Sequence, residues 1–443
     1  MPTVVAAVDF GAASIRVCRI DLDVANPELE VVHRFAHHPV ADAGGTLRWE
    51  WDRLVTEMER GLDMARARGP LASIGIDAWA VDYGLLDGSG KLVEAPVSYR
   101  DRRTAGYRDV VERVGERRLF EIAGLQLMPI NTIFQVAAHD RAALGRARHL
   151  MMLPELLAYH LTGEVTAELT SAGATGLFDL SSGDWSMELA DAVGLPPTLL
   201  PEIRSPGTLV GTWRDVPVHL VGGHDTASAV LGGAIDGSAF VSAGTWLLVG
   251  RMLARPDTSE ATRLARFSNE QGAAGGIRLL RNVAGWWLVE ECRRSWGNPD
   301  LGELLDEAAQ VGPVPTADAT DPRFLAPADM AAELVAAAGL GPDASRAEVI
   351  RCAVESMAQS TAAVVATLGV PSVQVFGGGA RSELLLGLLA DYVDGAVTVG
   401  PVEATALGNA MSQALALGVF GSVAEARRAL GGQHSVTSEV VTR

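Results

Sequence analysis

The feature that most constrains this chain is one unit of local structure that occurs near the start of each half. Val4–Val8 is a short β-rich run, Asp9-Phe-Gly-Ala-Ala-Ser14-Ile-Arg16 follows, and Val17–Ile20 is β-rich again. Ala239–Ser242, Ala243-Gly244-Thr245-Trp246 and Leu247–Met252 repeat that order: strand, tight turn of small residues with a hydroxyl, strand. Such a hairpin can offer backbone N–H groups and hydroxyls to phosphate oxygens without a lysine. Two copies predict an α/β protein of two domains of one design, 1–235 and 236–443, facing each other across a cleft.

Two domains also suit the length, since 443 residues exceed what one core usually serves. The formal charge of −18 argues against nucleic acid or an anionic membrane as partner, because both demand a basic face. Any phosphate site must then be built locally. Lys91 is the only lysine, and the segment around it reads as a hairpin turn, so the Gly-x4-Gly-Lys-Ser/Thr loop is absent. Cys18, Cys292 and Cys352 are far apart, without zinc spacing, which suits a reducing compartment. Neither a signal peptide nor a membrane-spanning run is legible, so the expectation is a soluble cytoplasmic protein. Oligomeric state leaves no mark in the sequence.

Val221–Val230, VGGHDTASAV, carries the most chemistry for its length. A strand opens through Gly222 and Gly223, and a helix begins near Asp225 or Thr226 as cap. Asp225 thus stands between His224 and Thr226 at a strand-to-helix junction, where it either caps the helix or faces a cleft. At an exposed junction it would be ionised at neutral pH. Upstream, Asp77-Ala-Trp79-Ala80-Val-Asp82 puts two acids into an apolar run that does not need them, so one or both should meet a cleft or a polar partner. Asn131 or Thr132 is a plausible cap for the helix that follows. Downstream, Val373–Phe376 runs into Gly377, Gly378 and Gly379 before a helix, where a ligand can approach the backbone. Together these pieces favour phosphoryl transfer. In that chemistry the hairpins could grip phosphates, Asp9 could hold a hydrated Mg²⁺, the triple glycine could take the adenosine, and Asp225 could take a proton from an alcohol, where each taken alone could equally be a turn or a helix cap.

The ordered motifs Asp9-Phe-Gly-Ala-Ala-Ser-Ile-Arg, Gly-His-Asp225-Thr-Ala-Ser, Ser-Ala-Gly244-Thr245-Trp and Phe-Gly377-Gly-Gly-Ala resemble those of the FGGY carbohydrate kinases, over nearly the full chain. Asp77-Ala-Trp79-Ala-Val-Asp82, Asn131-Thr-Ile-Phe-Gln, Asn269-Glu and Gly-Pro-Val-Glu403-Ala-Thr are most similar to members acting on L-rhamnulose. The resemblance implies an actin-like, ribonuclease-H-like fold and transfer of the ATP γ-phosphate to the 1-hydroxyl of that ketose. It implies Asp225 as general base, with His224, Asp225, Thr226, Trp79, Ala80 and Asp82 toward the sugar. It implies Ala12, Ala13, Ser14, Ile15, Arg16, Gly244, Thr245, Asn282 and Gly377–Gly379 toward ATP, with Mg²⁺ at Asp9. Three positions depart from the pattern: Ala80 and Ile15 stand where glycine is usual, and Glu290 where a glutamine is. The rivals are kinases of L-fuculose, xylulose or a related polyol and, from another class, an actin-like ATPase switch.

Overall fold

The computed structural model describes residues 3–12, 14–23, 29–233 and 237–431. The chain divides into two compact units, neither continuous in sequence. The first takes the described residues up to Gly232, the segment Leu253–Leu279 and those from Ala404 on; the second takes Gly233–Met252 and Leu280–Glu403. The expected boundary at 235/236 lies outside the described residues.

The first unit is built on β1 (Val4–Phe10), β2 (Ser14–Asp21), β3 (Leu29–Ala36), β4 (Ser73–Ala78), β5 (Leu209–Trp213) and β6 (Val216–His219), in the order β5-β6-β4-β1-β2-β3. β1 is buried along its whole length, which explains why it reads as a nearly unbroken apolar run rather than an alternating one. It pairs antiparallel with β2 and parallel with β4, in a register that sets Asp9 opposite both Arg16 and Asp77. The helix Trp51–Ala67 buries Leu54, Val55, Met58, Leu62 and Ala65, a stripe at helical spacing. The helices Asp225–Gly232 and Ala404–Ala416 cross with their backbones in contact. A Cβ on Gly408 would lie 1.8 Å from the Ser228 carbonyl oxygen, so only glycine permits the approach. That crossing holds the helix that begins at Asp225.

The second unit repeats the design with β7 (Ala239–Ala243), β8 (Trp246–Leu253), β9 (Ser372–Phe376) and β10 (Ala396–Val399). β7 pairs antiparallel with β8 and parallel with β9, and β9 pairs parallel with β10. The helix Arg346–Leu368 starts where Ser345 and Glu348 form a reciprocal capping box. Asn131 precedes the helix Thr132–Ala137 but gives it no side-chain cap; its Oδ1 accepts from the Met128 N–H at 2.7 Å instead. Among the described residues no helix is long and apolar enough to cross a membrane.

Candidate active site

In the first unit, the ends of β1 and β4 and the loop entering the helix Asp225–Gly232 bring three carboxylates together. Asp9 is buried at the end of β1 and paired with Arg16, Nη2 to Oδ2 at 2.7 Å. Asp77 is fully buried on β4; its Oδ2 accepts from Asn409 Nδ2 at 2.6 Å, while its Oδ1 has no hydrogen-bond partner among the described residues. Burial first, then the negative charges of Asp9 and Asp225, push the Asp77 carboxyl well above its ordinary range. The loop Gly222–His224 is fixed beside β4 by the Ala78 N–H, which donates to the Gly223 oxygen at 2.8 Å.

Asp225 is the first residue of its helix, with 27% of its side chain exposed. The Thr226 hydroxyl donates to its Oδ1 at 3.2 Å, and His224 Nε2 lies 3.4 Å from the same oxygen. Desolvation raises its carboxyl above the ordinary range, while the neighbouring His224 and the hydrogen bonds from Thr226 work against that rise. The expectation of an exposed, ordinary aspartate is therefore corrected. The group is mostly enclosed and a stronger proton acceptor than a free aspartate, and a base gains from such a shift toward the working pH.

Behind this loop lie charged groups that are almost wholly buried. Glu168 Oε2 accepts from the Gly223 N–H at 3.0 Å and from Thr170 and Ser171. Glu155 stands beside it, and burial followed by the Glu168 charge pushes its carboxyl up to about 8. Arg278, wholly buried, reaches Glu270 Oε2 at 3.0 Å and His224 Nδ1 at 3.1 Å.

Asp82 meets polar partners, the second of the two outcomes expected for it. It is fully buried, and its Oδ2 accepts from the indole N–H of Trp49 at 2.7 Å and of Trp79 at 2.9 Å. Burial raises its carboxyl to about 6 against the pull of both indoles. Val81 between them has φ +73°, a conformation that a β-branched residue rarely adopts, and its carbonyl is held by Thr132 Oγ1 and Gln135 Nε2. Ala80 is half-buried. His37 stacks on Trp79 at 5.3 Å and donates from Nε2 to the Gly11 oxygen at 2.8 Å, which ties the tryptophan to the first hairpin.

On that hairpin, Ala12 and Ser14 are half-buried at the turn, and Ala13 lies outside the described residues. The Ile15 side chain is wholly buried in the core, so any ligand contact there is made by backbone. In the second unit, Gly244 is exposed at the turn between β7 and β8, with Thr245 and Asn282 half-buried. Gly377 has φ +86°; a Cβ on Gly378 would meet open space, and one on Gly379 would lie 2.2 Å from Trp286 Nε1. The indole N–H of Trp286 is buried without a hydrogen-bond partner among the described residues.

Known proteins match this layout from end to end. The N-terminal domain of the FGGY family of carbohydrate kinases matches residues 4–241, and the C-terminal domain of that family matches residues 239–417. The chain belongs to the FGGY family of carbohydrate kinases. A rhamnulokinase of Klebsiella pneumoniae is 35% identical over 459 residues, covering 98% of this chain and 93% of that one. Among solved structures, a gluconate kinase from Lactobacillus acidophilus superposes with a TM-score of 0.80 at 16% identity, covering 100% of this chain and 96% of that chain. A ligand-bound xylulose kinase from the same organism gives 0.79 at 15%, covering 99% and 96%. At such identities the structures speak for the fold alone. The fold is thus the two-domain α/β fold of FGGY kinases, and the ATPase-switch rival finds no support in these matches.

For this FGGY kinase the three departures have physical descriptions. Glu290 is engaged by Arg293, whose Nη2 sits 2.7 Å from its Oε2. Ile15 is core, and Ala80 adds a methyl beside the strained Val81. Glu168, Glu270 and Arg278 take no role in the site on the sequence reading. The signal for Arg278, and for Glu155, is a charged residue inside an apolar run, Ile277-Arg-Leu-Leu and Leu153-Pro-Glu155-Leu, where burial without a partner is too unfavourable to expect; Glu168 and Glu270 stand in stretches that hold other polar residues and carry no such signal.

Proposed function

We propose that this FGGY kinase transfers the γ-phosphate of ATP to the 1-hydroxyl of L-rhamnulose, giving L-rhamnulose 1-phosphate and ADP. The observation that carries the reading is Asp225. It is a partly open carboxylate at a helix N-terminus, flanked by His224 and Thr226, in a chain 35% identical across 98% of its length to a rhamnulokinase.

In this reading Asp225 accepts the proton of the 1-hydroxyl as its oxygen attacks the γ-phosphorus, and ADP leaves. His224 and the Trp79–Ala80 segment orient the ketose, while Asp82 holds Trp79 in place through its indole. The hairpin residues Ala12–Arg16 and Thr245 take phosphate oxygens, and Asn282 with Gly377–Gly379 take the rest of the nucleotide. Positioning supplies much of the rate in such a reaction, because the transition state asks for alignment and charge neutralisation more than covalent help.

Among the described residues no group of three or more His, Cys, Asp or Glu is placed to hold a metal directly. Magnesium keeps most of its waters and binds through one or two carboxylates, so a single orphaned carboxylate oxygen is the feature to look for. The buried Asp77 Oδ1 is such an oxygen, and Asp9 lies beside it in register. Asp9 and Asp77 would hold the ion through water, and it would neutralise charge on the phosphates. The cytoplasm, where ATP and free thiols are maintained, is the compartment this reading assigns.

A panel of L-rhamnulose, L-fuculose, xylulose and gluconate in a coupled ADP assay tests the substrate. The highest kcat/KM should fall on L-rhamnulose, and a clear preference for another member would replace the proposed sugar.

A further inference from the structure

We infer that Arg278 is a positioning residue that fixes the tautomer of His224, and thereby leaves the proton of the sugar to Asp225 rather than to His224. The inference rests on the reading above, in which Asp225 takes the sugar proton.

The geometry is a chain of three contacts. Arg278 Nη2 lies 3.1 Å from His224 Nδ1, and a guanidinium only donates hydrogen bonds, so Nδ1 must be bare to accept one. The ring proton then sits on Nε2, which faces Asp225 Oδ1 at 3.4 Å, a carboxylate oxygen that needs a donor. The opposite tautomer would aim Nδ1–H at Glu270 Oε2, 3.2 Å away. It would also set that N–H against the Arg278 donor and leave a bare Nε2 against the Asp225 carboxylate. That tautomer gains one favourable pair, to Glu270, against two unfavourable ones, whereas the inferred tautomer keeps two favourable pairs against one, the bare Nδ1 facing Glu270. Glu270, 3.0 Å from Arg278 Nη2, balances the buried guanidinium, which could not otherwise be kept out of water.

The chemical consequence concerns which group can act. An imidazole whose Nε2 already carries the proton cannot take another from the sugar while remaining neutral. Its N–H and the Thr226 hydroxyl both address Oδ1 of Asp225. Oδ2 is the oxygen left to receive the 1-hydroxyl proton.

The experiment is a long-range proton–nitrogen NMR correlation on the full-length protein with ring-labelled histidine, His224 being assigned by the signals lost in His224→Asn. In the wild type, Nδ1 should show the shift of a bare nitrogen and Nε2 that of a protonated one. In Arg278→Met the proton should move to Nδ1, toward Glu270. There kcat should fall about 10- to 100-fold with little change in the KM for ATP, and Arg278→Lys should restore part of it. A wild-type ring protonated at Nδ1, or at both nitrogens, overturns the inference, and that measurement needs no variant to fold. An unchanged tautomer in folded Arg278→Met overturns it as well. Failure of the functional reading looks different: Asp225→Asn would keep its turnover while the wild-type tautomer remained as described.

Discussion

The two units use the same hairpin for different work. In both, a first strand pairs antiparallel with the second and parallel with a third that arrives much later in the chain. In the first unit the strand ends are charged: Asp9, Arg16 and Asp77 meet at one level of the sheet. In the second, the corresponding level holds Ser242, Leu248 and Phe376, with Gly377 and Gly379 packed against the neighbouring Ala243. One topology therefore supports a site of concentrated negative charge and a site of bare backbone. The contrast teaches that the fold supplies a turn where chain can approach a ligand, while the residues at the strand ends decide the chemistry.

If the charge of the first unit performs the chemistry, its loss should strike turnover. Asp225→Asn should lower kcat by roughly 10²–10⁴-fold with little change in ATP affinity, measured by steady-state kinetics with saturating sugar. Near-normal turnover would put the base elsewhere. Asp77→Asn should lower activity about 10- to 100-fold at limiting magnesium and regain part of it as magnesium is raised. An unchanged magnesium dependence would detach Asp77 from the ion.

The second unit should answer differently. Gly379→Val forces a side chain onto Trp286 and Ala243, so the KM for ATP should rise about tenfold, about 1.4 kcal/mol, while the KM for the sugar holds. Equal losses in both constants would blur the division of labour.

The smallest effect sharpens the first unit alone. The Glu155 carboxyl is raised to about 8 from an ordinary value of 4.5, so the folded chain holds a proton that the unfolded chain releases. Its contribution to stability is complete below about pH 4.5 and is lost as pH climbs through 8. Glu155→Gln should therefore flatten the fall of unfolding free energy across that window, by at most ~1.4 kcal/mol per pH unit. Urea titrations at several pH values would show it, and an identical slope in the variant would contradict it.

Much of this contrast was legible in the residues. Both hairpins, the Gly222–Gly223 opening, the helix after Asp225 and the glycine run appear where β-branched runs, small-residue turns and helical spacing place them. What sequence did not give is long-range partnership. Nothing near Asp77 announces Asn409, and nothing near His224 announces Arg278, because those pairs form only when distant segments pack. The two compact units interleave in sequence for the same reason: Leu253–Leu279 and the helix from Ala404 join the first unit through packing alone. The partial enclosure of Asp225 escaped too, since a junction looks open until its neighbours cover it.

The most direct measurement is mass spectrometry of L-rhamnulose after incubation with the protein, ATP and magnesium. The account expects a sugar heavier by one phosphoryl group on its 1-oxygen, in step with ADP formed. ATP consumed to free phosphate, with the ketose unaltered, would contradict it.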